Sequence, residues 1–110
     1  MKLVGEHPVY GLEVDPETRC EHYHTERDVV AFRFGCCERY YPCFRCHAAV
    51  ADHEGVVWPR ERFGEPSVLC GACGTAMTAP EYLESDSQCP ECEAAFNPGC
   101  TDHLEYYLER

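Results

Sequence analysis

The chain has 110 residues, enough for one compact domain or two very small ones and too few for a multi-domain enzyme. Only 20 of the residues are Leu, Ile, Val or Phe, so an apolar core alone would stabilise the fold poorly. Ten cysteines and six histidines are available to stabilise it further through disulfides or bound metal. The formal charge of -11, with a single lysine, argues against a general nucleic-acid binder, because such proteins must neutralise phosphates.

The amino-terminal residues lack the apolar run of a secretory signal, and no later stretch of the sequence is long and apolar enough to span a bilayer. We therefore expect a cytoplasmic protein without membrane contact. Thiols are kept reduced in that compartment, which favours cysteines that bind metal over cysteines in disulfides. The acidity and the near absence of lysine also indicate a halophilic protein, adapted to high internal salt.

The first elements expected along the chain are strands. Apolar and polar residues alternate in residues 1–19, which predicts one or two short strands, interrupted by Pro8, Gly11 and Pro16, that pack on the following finger. Residues 28–35 are rich in β-branched and aromatic side chains and end at a glycine, which predicts another strand.

Eight potential metal ligands lie between residues 20 and 53. Neighbouring ligands in sequence point in different directions, so Cys46 and His47 are expected to serve different ions. The CxxC turn and the reach of the chain then give two groups of four, although Cys36 and Cys37 could instead be divided between the two ions. The first group is Cys20, His22, Cys43 and Cys46, and the second is Cys36, Cys37, His47 and His53.

A ligand-free stretch, residues 54–66, is expected to link two sub-domains. The domain organisation predicted from these features is 1–19, 20–66 and 67–110. Thr78 and Glu81 form the sequence signature of a capping box, which predicts a short helix through Tyr82 and Leu83. The tail, residues 101–110, is compatible with either helix or strand.

The last cluster consists of two CxxC turns separated by fifteen residues, Cys70 with Cys73 and Cys89 with Cys92. Each turn directs two sulfurs at one ion, and the short intervening segment closes a four-thiolate zinc site. A glycine follows Cys73, as is common where such a turn needs positive φ. Iron in the same cage and a redox-active CxxC pair are the alternatives.

Together these motifs resemble the CHY-type zinc finger family. The resemblance rests on the CxHY motif beginning at Cys20, the Cys36-Cys37 pair, the run YYPCFRCH ending at His47, the downstream His53 and the paired CxxC turns. It implies three zinc ions per chain, the number that twelve ligands would bind. Larger members of that family carry a following RING finger and act as ubiquitin ligases, whereas a small mitochondrial member assists the oxidative assembly of cysteine-rich import chaperones. This sequence contains no RING motif, so ligase activity is not expected.

The fold class expected from these observations is a small zinc-stabilised α+β domain of mostly short strands, knuckles and loops. An interleaved two-zinc CHY module would be followed by a zinc-ribbon-like four-cysteine module. His24 and His7 are expected to be surface residues. Cys100 and His103 form a CxxH pair that is too small for a site, and we interpret them as a buried thiol and a surface imidazole, with a dimer-bridging site or a supporting role beside a zinc as alternatives.

Three functions follow from this sequence. Twelve ligands in three closed sites leave no open position for water, so we expect structural zinc, no enzyme activity and a module that binds another protein. The alternative is a thiol or metal exchange factor for cysteine-rich or zinc proteins, which requires reactive thiols. Six of the eight arginines lie between residues 27 and 62 among aromatic residues, a pattern that suggests a third function, a nucleic-acid adaptor. The overall acidity of the chain argues against this function.

Overall fold

Short runs of β-branched and aromatic residues form the strands of this protein, whose structure is a computed structural model that describes residues 2–20, 25–96 and 107–109. The strands are β1 (Lys2–Val4), β2 (His7–Val9), β3 (Val30–Arg33), β4 (Tyr40–Tyr41), β5 (Val68–Cys70) and β6 (Ala76–Met77). Among the described residues they join one sheet in the order β1-β2-β4-β3-β5-β6. The protein is therefore a small domain of mostly strands with few helices.

Neighbouring strands of this sheet are antiparallel except β2 and β4, which are parallel with Val9 opposite Tyr40. At the centre of the sheet, β3 places Phe32 opposite Tyr41 of β4 on one side and opposite Val68 of β5 on the other. The three segments predicted from the sequence contribute two strands each. The three predicted segments are therefore joined in one sheet, and the structure of each depends on strand pairing with the others.

Two α-helices, α1 (Phe44–Val50) and α2 (Ala79–Leu83), and a 3-10 turn at Arg60–Arg62 accompany the sheet in the described residues. The Thr78 hydroxyl accepts a hydrogen bond from the Glu81 amide, and the Glu81 carboxylate accepts one from the Thr78 amide. The predicted capping box is therefore confirmed. Within the described ranges, neither helix has the length and apolar composition that a membrane span requires.

The main core lies against β3. Phe32 is fully buried, with its ring stacked on Tyr107 at a centroid distance of 4.0 Å. Trp58 is also fully buried, and its backbone amide donates to the Tyr107 carbonyl at 2.9 Å. Residues 54–66, expected to be a linker, therefore contribute the largest of the fully buried side chains in the described core.

Two strand predictions differ from the structure in detail. Residues 1–19 do form two strands, but the prediction that Pro8 interrupts them is wrong, because Pro8 lies inside β2 opposite Leu3. A proline is tolerated there since the pairing of β2 with β4 begins only at Val9, so Pro8 needs no amide hydrogen on that side. The strand predicted over residues 28–35 is confirmed as β3 with a shorter extent.

Candidate metal centres

The first cluster consists of Cys20, Cys43 and Cys46, where the chain before β3 meets the start of α1. Cys43 caps α1, and its sulfur accepts a hydrogen bond from the Cys46 amide at 3.4 Å. The sulfurs of Cys20 and Cys43 lie 3.6 Å apart, and the Leu12 amide donates to the Cys46 sulfur at 3.5 Å. All three cysteines are at most 2% exposed. The fourth predicted ligand, His22, lies outside the described residues.

Contacts with neighbouring sulfurs, together with burial, raise the pKa of two thiols in the first cluster. The pKa of Cys43 is raised, mainly by its hydrogen-bond contact with Cys20 and then by Cys46 and burial. The pKa of Cys46 is raised to about 11, again mainly by Cys20. A dication favours the thiolate forms, so metal binding here would release protons.

The second cluster consists of Cys36, Cys37, His47 and His53. The turn after β3 carries both cysteines, and α1 carries His47. The Nε2 atom of His47 lies 3.2 Å from the Cys36 sulfur, 4.0 Å from the Cys37 sulfur and 3.3 Å from Nε2 of His53. The structure thus places Cys36 and Cys37 beside the same histidine.

Both histidines of the second cluster are held in orientations that suit metal ligands. His47 is buried, and its ring stacks on Phe34 at 4.5 Å. Burial, with a smaller effect of His53, lowers the pKa of His47 and favours the neutral imidazole that binds metals. His53 is exposed, and its Nδ1 atom lies 3.1 Å from the Asp52 carboxylate, the kind of contact that orients a metal-bound imidazole through its other nitrogen.

The third cluster consists of Cys70, Cys73, Cys89 and Cys92. Cys70 ends β5, and its carbonyl accepts a hydrogen bond from the Gly74 amide at 2.8 Å, which closes the first knuckle. Gly74 has φ +78°, so the prediction of positive φ after Cys73 is confirmed. The second knuckle closes in the same way through the Glu93 amide, and Glu93 also has positive φ, at 65°.

Each sulfur pair of the third cluster spans the two knuckles. The sulfurs of Cys70 and Cys92 lie 3.7 Å apart, as do those of Cys73 and Cys89. Cys70 and Cys89 are buried, at 0% and 1% exposure, whereas Cys73 and Cys92 are exposed. Thr75 Oγ1 lies 3.3 Å from the Cys73 sulfur. Every cysteine of this cluster is thus held by a knuckle, but only one sulfur of each knuckle is covered.

These distances fit a tetrahedral zinc better than the other states of paired cysteines. The described cysteines are thiols rather than disulfides, whose sulfurs would lie about 2.05 Å apart. A tetrahedral ion with Zn–S distances of about 2.3 Å requires sulfurs about 3.8 Å apart. The measured separations of 3.6 to 3.8 Å match that edge. The donor atoms of each cluster lie within 4.8 Å of one another, so all three clusters can hold zinc.

The arginine and aromatic residues between 27 and 62 are largely used within the protein. Arg33 and Arg62 lie over the Trp58 ring at 4.9 and 4.2 Å. Both also form ion pairs with Glu38, and Arg62 forms another with Glu65 at 3.0 Å. Such contacts stabilise the chain's own surface, which weakens the case for a nucleic-acid face.

The sequence did not predict the roles of Tyr107 and Trp58 in positioning the ligand-bearing helix. The Phe44 amide at the start of α1 donates to the Tyr107 hydroxyl at 3.3 Å, so Tyr107 anchors the helix that carries Cys46 and His47. Trp58 supports Tyr107 through the backbone hydrogen bond described above. Only the aromatic character of both residues could have signalled a buried role, because the contacts join distant parts of the chain.

The remaining candidate residues fall into two groups. His7 lies in β2 with its ring edge-on to Tyr40 at 5.6 Å. Predictions for His24, Cys100 and His103 fall outside the described residues.

Comparison with known proteins relates these clusters to a family. The sequence pattern of the CHY zinc finger matches residues 20–98. An uncharacterized protein of Schizosaccharomyces pombe is 48% identical over 101 residues, covering 92% of this chain and 88% of that protein. Helper of Tim protein 13 of Saccharomyces cerevisiae is 38% identical over 109 residues, covering 92% and 90%. The Kluyveromyces lactis protein of the same name is 42% identical over 100 residues, covering 91% and 87%. The family match and the clusters together support zinc binding.

Proposed function

The chain belongs to the CHY zinc finger family, and on that premise we propose that it is a zinc-stabilised module that binds another protein and has no enzyme activity of its own. The observation that carries the proposal is the set of three ligand clusters, each with its donor atoms within 4.8 Å of one another, in a chain that forms one sheet. Zinc bound there would tie together segments that are distant in sequence, so its binding energy would be folding energy.

We assign one zinc ion to each cluster, three in all. The first ion would be held by Cys20, Cys43 and Cys46 together with His22, and the second and third by the four residues of their clusters. The ligands of the first two sites alternate along the chain, so the two sites would be interleaved and would fix α1 from both sides. The third would form a zinc-ribbon-like knuckle pair at the end of β5. Four protein ligands per ion leave no open position, which supports a structural role over a catalytic one.

The partner is expected to be a protein. The formal charge of -11 disfavours nucleic acid, and Arg33 and Arg62 of the 27–62 stretch are engaged in internal contacts. Two relatives that span most of this chain are named as helpers of another protein, which supports a role that acts on a second polypeptide. The cytoplasm is the proposed location, because reduced thiols are needed to keep the ligands available.

Metal analysis combined with matched variants tests the proposal. The purified protein should contain three zinc ions per chain by elemental analysis, and Cys37→Ser should contain one fewer, whereas Cys100→Ser should keep all three. Two or fewer ions in the fully loaded wild-type protein would refute the assignment.

Partner binding needs a separate measurement. Affinity capture from the native source should retain a protein on the zinc-loaded chain and lose it on the chain stripped by a chelator. Equal capture by both forms would show that the folded zinc module is not the binding surface.

A second candidate is a thiol or metal exchange factor. The exposed sulfurs of Cys73 and Cys92 favour it, because an exchange factor needs thiolates that a partner can reach. The two functions are compatible if one site is exchangeable and the other two are structural.

A further inference from the structure

Exposure differs sharply between the sulfurs of the three clusters. In the first cluster all three described sulfurs are buried. In the second, Cys36 and Cys37 are partly buried, and the exposed ligand is the imidazole of His53. Only the third cluster has exposed sulfurs, those of Cys73 and Cys92. Reaction of a thiolate depends on access as well as on its ionisation, so the third cluster is the most open to attack at sulfur.

Each exposed sulfur has a buried partner close enough to complete an exchange reaction. The Cys73 sulfur lies 3.7 Å from that of Cys89, and the Cys92 sulfur lies 3.7 Å from that of Cys70. The two sulfurs of each pair belong to different knuckles, so oxidation of either pair would remove one ligand from each knuckle. A zinc ion left with two thiolates would be held much more weakly than one held by four.

A cleft beside the knuckles offers room for a segment of a partner. It has a volume of about 340 Å³ and is lined by Ala72 of the first knuckle, by Ala94 just after the second, and by charged residues of both signs, Glu17, Arg19, Glu26 and Arg27. Ala72 precedes Cys73, and Ala94 follows Cys92 by two residues. The cleft therefore borders both knuckles through alanines close in sequence to the exposed cysteines, and the cysteines themselves do not line it.

We propose that the four-cysteine cluster is the exchangeable site of this protein, which releases its zinc through Cys73 and Cys92 on reaction with a disulfide of another protein. The inference rests on the proposed function, because it requires zinc in this cluster. An exposed thiolate attacks one sulfur of the partner's disulfide, forms a mixed disulfide and expels one partner thiolate. The nearby buried thiolate then displaces the second. The cluster loses two electrons and gains one internal disulfide, the partner's disulfide becomes two thiolates, and one Zn²⁺ leaves unchanged in charge.

An aromatic disulfide with a coloured thiolate product is a suitable probe. Zinc-loaded Cys100→Ser protein, which retains the nine predicted ligand cysteines, is mixed with the probe while a dye reports free zinc. The first zinc should leave with two coloured thiolates, and peptide mass spectrometry should find modification at Cys73, Cys92 and their partner sulfurs. Earlier modification of Cys36 or Cys37, loss of all zinc ions in parallel, or no zinc release would overturn the proposal.

Matched histidine variants give a second test, since imidazole is also a zinc ligand. The Cys73→His/Cys92→His double variant should bind three zinc ions yet lose the first at least about tenfold more slowly, because it lacks the exposed sulfurs. Cys36→His is the control and should leave the first phase unchanged. Fewer than three ions in the untreated wild-type protein would refute the proposed function, whereas three ions with no preferred exit would refute only this inference. The order of zinc release and modification is also measured on the wild-type protein, and that measurement decides the question even if a variant fails to fold.

Discussion

Replacing Trp58 tests whether residues 54–66 are part of the core. The side chain is fully buried, its indole N–H donates to the Arg62 carbonyl at 2.8 Å, and two guanidinium groups lie over its ring. Truncation of a buried tryptophan to alanine costs about 3–5 kcal/mol. Loss of the two cation–π contacts adds about 0.5–1 kcal/mol each. Trp58→Ala should therefore lower the free energy of unfolding by about 4–7 kcal/mol, a large part of the stability of a small domain.

Trp58→Phe is the matched control. It keeps an aromatic ring and loses mainly the indole hydrogen bond and some volume, so a cost of about 1–3 kcal/mol is expected. Both variants should be unfolded in guanidinium at one fixed free zinc concentration, because bound zinc adds to the apparent stability. Circular dichroism is the suitable signal, since Trp58 is the single tryptophan. A cost below about 2 kcal/mol for Trp58→Ala would refute the central packing of this segment.

Three further predictions address the clusters and the charge. Gly11→Ala should strain the first cluster by about 1–3 kcal/mol and weaken zinc retention against a chelator, because the new Cβ would lie 2.9 Å from the Cys46 sulfur; unchanged retention would contradict this packing. Cys89→Ala should remove one zinc and lower hydrogen-exchange protection in β3 as well as β5, since the two strands are paired, and normal protection of β3 would show that the segments unfold separately. Because the chain is strongly acidic, its melting temperature should rise as KCl shortens the Debye length from about 10 Å at 0.1 M to about 3 Å at 1 M, and a flat or falling value would count against the halophilic interpretation.

The features that the sequence could predict depend on neighbouring residues. The knuckle at Cys70 and Cys73 and the capping box at Thr78 are each formed within a few residues, so spacing and residue type are enough to identify them. The third cluster follows directly from two such turns. For the first two clusters, spacing did not decide whether Cys36 and Cys37 belong to the same group of ligands. In the folded chain both of their sulfurs lie beside Nε2 of His47, a position that spacing alone does not give.

The features that could not be predicted depend on distant residues. Helix α1 spans seven residues, too few to be stable alone, and its first turn is held by the Cys43 cap and the Tyr107 hydroxyl. The parallel pairing of β2 with β4 joins residues about thirty positions apart through a single register pair. The burial of Trp58 likewise depends on residues 107–109. No local pattern contains this information.

The position of β5 between β3 and β6 limits how the chain can be divided. A fragment that stopped before Val68 would retain the ligands of the first two clusters but would leave one side of β3 without its hydrogen-bonding partner. That side belongs to an apolar strand whose Val30 and Phe32 are buried in the intact protein. Exposed strand edges of this kind pair with other chains and aggregate. The segment that carries the first two clusters is therefore a poor unit for transplantation, and fragments used for partner mapping should extend through β6.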